Sequence, residues 1–160
     1  MLTDQGIAGL VQQLGASTGV VEEDSAWAQL RPIGARVLPF FLAAYPKTRK
    51  WQGRASFIYH ALQFARTDPL AAKLATMALW DKSRSVRYRA CMLLACALDR
   101  NALPELRRLS EHEDSGTVAD ARAAIDAITH QNHHFYIDRD HTGRVKLNFD
   151  GSPLHEELAG

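Results

Sequence analysis

Between Pro39 and His130 the chain repeats itself, and each repeat carries two apolar helical patterns. A shift of 35 residues lays Arg49-x-Trp51-x-x-Arg54-Ala55 on Arg84-x-Val86-x-x-Arg89-Ala90, and Pro69 on Pro104. A further shift of 32 lays Val86 on Val118, with Ser83 on Ser115 and Leu74 on Leu106. A unit this short, built from two amphipathic helices, cannot bury its apolar face alone and must stack on its neighbours. The pattern therefore predicts a stacked array of helix pairs, an architecture suited to binding.

Counting along the repeats supports this. Trp51, Ala55, Ile58, Leu62 and Ala65 share one helical face, as do Val86, Ala90, Leu93 and Ala97, then Val118, Ala121, Ile125 and Ile128. This places Trp51 on the core side. Leu70, Leu74 and Met77, then Leu103, Leu106 and Leu109, mark first helices opened by Pro69 and Pro104, with Asp68 a natural cap. Upstream, amphipathic helices are predicted over Asp4 to Leu14, from Asp24 until Pro32 disturbs the pattern, and from Ile33 to Tyr45, with loop-forming residues at Gly15 to Gly19. After His130 the period changes: Phe135-Tyr136-Ile137 and Val145 to Phe149 read as strands around a polar turn, Asp138 to Gly143. The expectation is an all-α fold, a short α-helical solenoid of antiparallel helix pairs over residues 1–134, with N-terminal helices within 1–45 and repeats at about 39–65, 69–99 and 104–130. A β-hairpin over 135–150 and a tail over 151–160 complete it.

The middle unit, Pro69 to Asp99, resembles a HEAT repeat: an apolar first helix, Asp81 near its end, and Val86-Arg87 opening the second helix. The resemblance implies structural roles for Asp81 and Arg87, linking neighbouring units by hydrogen bonds and charge pairing. The outer units depart from it, with Glu113 at the Asp position, Ala119 at the Arg position, and Pro46 and Gln52 in the first unit. Most relatives of such a fold bind proteins, a few bind nucleic acid, and a minority act as lyases or glycosylases.

A net charge of +1 hides segregation. Residues 31–108 hold 15 Lys and Arg against four acids, whereas residues 1–30 carry −4 and residues 109–160 carry −6. The densest groups are Lys47, Arg49, Lys50 and Arg54, then Lys82, Arg84, Arg87 and Arg89, at equivalent turns of adjacent units. Stacking is expected to set them side by side as a partner-binding patch of Lys47, Arg49, Lys50, Arg54, Lys82, Arg84, Tyr88 and Arg89, with Tyr88 as aromatic surface and Trp51 as further aromatic surface were it not on the core side. Reversing Arg49, Lys50, Arg54, Arg84 and Arg89 to Glu is expected to abolish binding and spare the fold.

Other chemistry is sparse. No Gly-rich phosphate loop or nucleophile elbow is present, and neither Cys91 nor Cys96 joins a catalytic pattern; both read as small buried packers. A general base in a basic cleft would fall to Asp81 or Asp99. His130, His133, His134 and His141 cluster with Asp138 and Asp140, but frayed helix ends gather histidines without metal, so no metal or other cofactor is expected. Asp138-x-Asp140-x-Thr142-Gly143 matches half of a calcium loop, yet Phe149 stands where the bidentate Glu belongs, and a turn explains the residues better. The N-terminal residues lack the basic start of a signal peptide, and the longest apolar run, Ala90 to Leu98, is too short to cross a bilayer, so a cytoplasmic location without membrane contact is expected. The leading expectation is a non-catalytic module for an acidic protein partner, an adaptor or immunity protein. The alternative is nucleic-acid binding with base-directed chemistry, and a lyase comes third.

Overall fold

A computed structural model describes residues 1–17 and 20–149 and the backbone of 156–158; for residues 20–24 it describes backbone only. Eight α-helices lie among the described residues: α1 Asp4–Ala16, α2 Val20–Leu30, α3 Leu38–Ala44, α4 Trp51–Ala61, α5 Pro69–Ala78, α6 Arg84–Ala97, α7 Leu103–Leu109 and α8 Ser115–Thr129. Their starts follow local chemistry. The Thr3 hydroxyl accepts from the Gly6 amide at 3.0 Å, and the Asp68 carboxylate accepts from the Leu70 amide, with Pro69 opening α5 as its sequence position predicts. Asp114 caps α8 through the Thr117 amide and hydroxyl.

Packed helix pairs form the body. α5 lies on α6 and α7 on α8, while α4, α6 and α8 lie side by side in that order and α1 packs on α2, α3 and α4. This arrangement is compatible with a helical repeat. The core runs through it without a break, from Ile7, Leu14 and Phe41 through Phe57, Leu74 and Leu93 to Leu106, Ala124 and Tyr136. Phe41 stacks on Phe57 with ring centroids 5.0 Å apart.

Four expectations about local structure are corrected. The second helix starts at Val20, so Asp24 lies within it rather than at its start; of the expected loop at Gly15 to Gly19, Gly15 and Ala16 belong to α1, and 18–19 fall outside the described residues. The span from Ile33 to Tyr45 is broken at Gly34, whose φ of 62° and ψ of −141° suit glycine alone, and α3 begins only at Leu38. The predicted hairpin does not form. Phe135 and Tyr136 lie in a 3₁₀ turn, His133–Tyr136, capped by the Asn132 side chain, because Tyr136 is fully buried and donates its hydroxyl to the Tyr88 carbonyl at 2.7 Å. Asp138 closes the following loop by accepting from the Thr142 amide and hydroxyl and the Gly143 amide. Val145–Leu147 (β1) is a strand, and it pairs antiparallel with Glu156–Leu158 (β2), inside the expected tail. No helix among the described residues is long and apolar enough to cross a membrane.

The repeat register also shifts. Gly53, Arg54, Phe57, Ile58 and Ala61 of α4 are buried, and so are Val86, Arg87, Ala90, Cys91 and Leu94 of α6, each 33 residues on. Gly53, not Trp51, therefore answers Val86. Gly53 carries no side chain because α1 occupies the space: a Cβ there would lie 1.9 Å from the Gly15 carbonyl oxygen.

Candidate basic surface

The turn before α4 organises the candidate site. After the 3₁₀ turn Tyr45–Lys47 the backbone extends through Thr48 and Lys50 into α4. Arg54, buried in the fourth position of α4, donates to the Thr48 carbonyl at 3.2 Å and the Arg49 carbonyl at 2.6 Å, pinning that turn. The same guanidinium grips Asp81 of the next unit in a fork, Nε to Oδ2 at 2.7 Å and Nη2 to Oδ1 at 3.0 Å. Asp81 also accepts from the Tyr45 hydroxyl and the Ser83 amide. Desolvation would push the Asp81 carboxyl up, but the Arg54 fork and the Tyr45 and Ser83 bonds outweigh it and hold the group below its usual range. Burial, then the Asp81 hydrogen bond, raise Tyr45 far above an ordinary phenol.

One unit later the device recurs. Arg87, fourth in α6, donates to the Asp81 carbonyl at 2.8 Å and to the Thr117 hydroxyl at 2.9 Å, with Asp114 3.6 Å away. Arg54 and Arg87 each reach a carbonyl six residues back and an acidic turn in the following unit. Arg54 and Asp81 thus tie α4 to the turn before α6, and Arg87 ties α6 to α8.

The seven cationic patch residues separate into two sets. Arg54 is buried and spent on Asp81, which overturns its place in an exposed patch and any expectation that its reversal spares the fold. Arg89 is half-buried, donates to the Ala55 carbonyl at 3.1 Å and lies over the Tyr59 ring. Arg84 is exposed but sits 3.6 Å from Asp114 and 3.9 Å from Asp120. Lys47, Arg49, Lys50 and Lys82 are exposed, and none has a carboxylate within ion-pair distance among the described residues; Lys50 donates to the Ala16 carbonyl at 3.0 Å.

Trp51 is the second correction at the site. Expected in the core, it is 45% exposed. It lines a recess of about 440 Å³ with Arg84, Ser85, Tyr88 and Arg89, so the structure does bring three of the expected patch residues together around an indole. A second hollow of about 520 Å³ is lined by Lys47, Arg49 and Lys50 together with residues of α1 and α3 that no sequence signal marked.

The remaining sequence candidates are engaged locally. Asp99 caps a 3₁₀ turn through the Asn101 amide. His133 bonds the Leu147 carbonyl, His134 accepts from the Leu147 amide, and His130 and His141 both reach Asp126. Among the described residues no group of three or more His, Cys, Asp or Glu could hold a metal ion. Comparison with protein-family models, curated proteins and solved structures finds no match to this chain.

Proposed function

We propose that this protein is a non-catalytic interaction module of HEAT-like solenoid architecture that binds an acidic protein partner in the cytoplasm, as an adaptor or immunity protein does. The carrying observation is Trp51. An indole 45% exposed, following Lys47, Arg49 and Lys50 in the chain and sharing a recess with Arg84, Tyr88 and Arg89, is the aromatic-plus-cation mixture found at the energetic centres of interfaces. The HEAT-like reading is supported by the recurring Arg-to-acid links of Arg54 and Arg87. Five-residue connections at 79–83 and 110–114 favour antiparallel neighbours within each pair. Two buried free thiols suit a reducing compartment.

The same recess keeps a second reading in view, since an exposed indole beside arginines also stacks on nucleobases. The test is affinity capture from source-cell lysate, with and without nuclease, using the native protein and a variant with Lys47, Arg49, Lys50 and Lys82 all changed to Glu. The expected result is a stoichiometric acidic protein that survives nuclease and is lost with the variant, whose thermal unfolding stays close to native. Capture of nucleic acid with no surviving protein would transfer the function to the second reading.

A further inference from the structure

The hollow of about 520 Å³ beside the Lys47–Lys50 turn is distinct from the Trp51 recess. Its walls are mostly apolar, Ala8 and Val11 from α1 and Phe40, Ala43 and Ala44 from α3, with Gln12 and Thr48 the polar exceptions. Its rim is cationic. Lys47, Arg49 and Lys50 stand along one side, and no acid among the described residues neutralises them. The walls are fixed from behind, because Val11 is fully buried on its core side while Phe40 and Ala44 pack against the core. The rim is fixed too, since Arg54 holds the Thr48 and Arg49 carbonyls and Thr48 donates its hydroxyl to the Ala44 carbonyl at 2.8 Å. The hollow is thus largely preformed, and its volume lies in the range of small recognition pockets, about 300–1,000 Å³.

An apolar cup whose cationic rim has no carboxylate partner among the described residues fits one chemistry: apolar side chains with carboxylates beside them. An uncharged apolar segment would leave the three cations without a carboxylate, and a wholly polar acidic segment would leave the cup filled only with water. We infer that this hollow seats an apolar anchor, aliphatic or aromatic, from a segment of the partner protein whose flanking Asp or Glu residues pair with Lys47 and Arg49. The inference rests on the proposed binding of an acidic partner and adds how that partner is held. The cations steer and orient the segment, and the cup supplies the desolvated contact that fixes it.

The experiment selects ligands from a phage-displayed library of random dodecapeptides against the native protein, then measures the enriched peptides by fluorescence anisotropy. Two variants fill the cup from exposed positions, Ala43→Trp and Ala8→Trp, and one removes the rim charge, Lys47→Glu with Arg49→Glu. The expected consensus joins an apolar position to neighbouring acids, and its affinity falls about tenfold or more in each variant while helical content and Tm hold. Acidic peptides without an apolar position, or peptides indifferent to both Trp variants, would overturn the anchor and leave the acidic-partner reading standing. Enrichment of peptides without acids, or no enrichment, would overturn both. Saturable binding of a medium-chain fatty acid that Ala43→Trp blocks, with no peptide enriched, would hand the cup to a small amphiphile and overturn the inference.

Discussion

His133 shows how a single side chain ties protonation to folding. Its Nε2 faces the Leu147 carbonyl at 2.9 Å and its Nδ1 faces the Arg66 guanidinium at 2.9 Å, so the neutral ring with hydrogen on Nε2 satisfies both neighbours. A second proton on Nδ1 would point at a cation. Desolvation, then the neighbouring His134, lower the group from the ordinary 6.5 to about 4. The folded state therefore binds fewer protons than the unfolded chain in that window. The stability this group contributes is complete above about pH 6.5 and is lost as pH falls toward about 4. His133→Gln keeps a donor for Leu147 and an acceptor for Arg66 but does not titrate. Its urea midpoint should fall less than the native one between about pH 7 and about pH 4.5; equal slopes would remove His133 from this role. The histidines themselves are plain in the sequence. Their partners are not, because Arg66 lies 67 residues before His133 and Leu147 lies 14 after it, and only the fold brings the three together.

Between elements, the Arg54–Asp81 fork joins α4 to the turn before α6, with both side chains nearly inaccessible to solvent. Removing one member of a buried pair strands the other, at a cost of about 3–5 kcal/mol. Arg54→Met should lose that much, because it also frees the Thr48 and Arg49 carbonyls, and Arg54→Met with Asp81→Asn should lose less than the sum of the two single changes. Urea denaturation of the three variants measures it, and additive losses would show that the two side chains act independently. That the chain is mostly helical and that its helices pack in pairs could be read from residue spacing, whereas the links made by Asp81 and Arg87 were implied only by the HEAT resemblance. The register could not. A shift of 35 residues matches Trp51 to Val86 by residue type, yet burial follows 33, because the core position of α4 is Gly53, a residue with no apolar signal, required there by the approach of α1. The hairpin was misread for a related reason: Phe135 and Tyr136 carry strand-like composition, but Tyr136 is claimed by the core beside α6 and cannot stay in an edge strand.

At the scale of the whole molecule, the charge blocks that stand apart in the sequence are partly folded onto each other. α8 and the turn before it bring Asp114 and Asp120 to Arg84 and Arg87, and Asp4 meets Arg36, so much of the basic middle is answered internally. Of the eight patch residues, only Lys47, Arg49, Lys50 and Lys82 are exposed cations with no carboxylate within ion-pair distance among the described residues. This limits what the surface can do with nucleic acid. Each phosphate neutralised on duplex DNA contributes about −0.9 to the slope of log Kobs against log salt, so all four cations acting together would give about −3.6. A labelled duplex of mixed sequence, titrated by anisotropy, should therefore show no saturation below about 100 μM protein near physiological salt, in the weak range of non-specific binding. Low-micromolar saturation with a slope near −3.6 would mean that these four cations grip phosphates, and the surface would then belong to nucleic acid. A protein partner predicts another salt signature: its association rate falls as salt shortens the screening length from about 30 Å at 0.01 M to about 10 Å at 0.1 M, while its dissociation rate, set by apolar contacts in the cup and at Trp51, changes little.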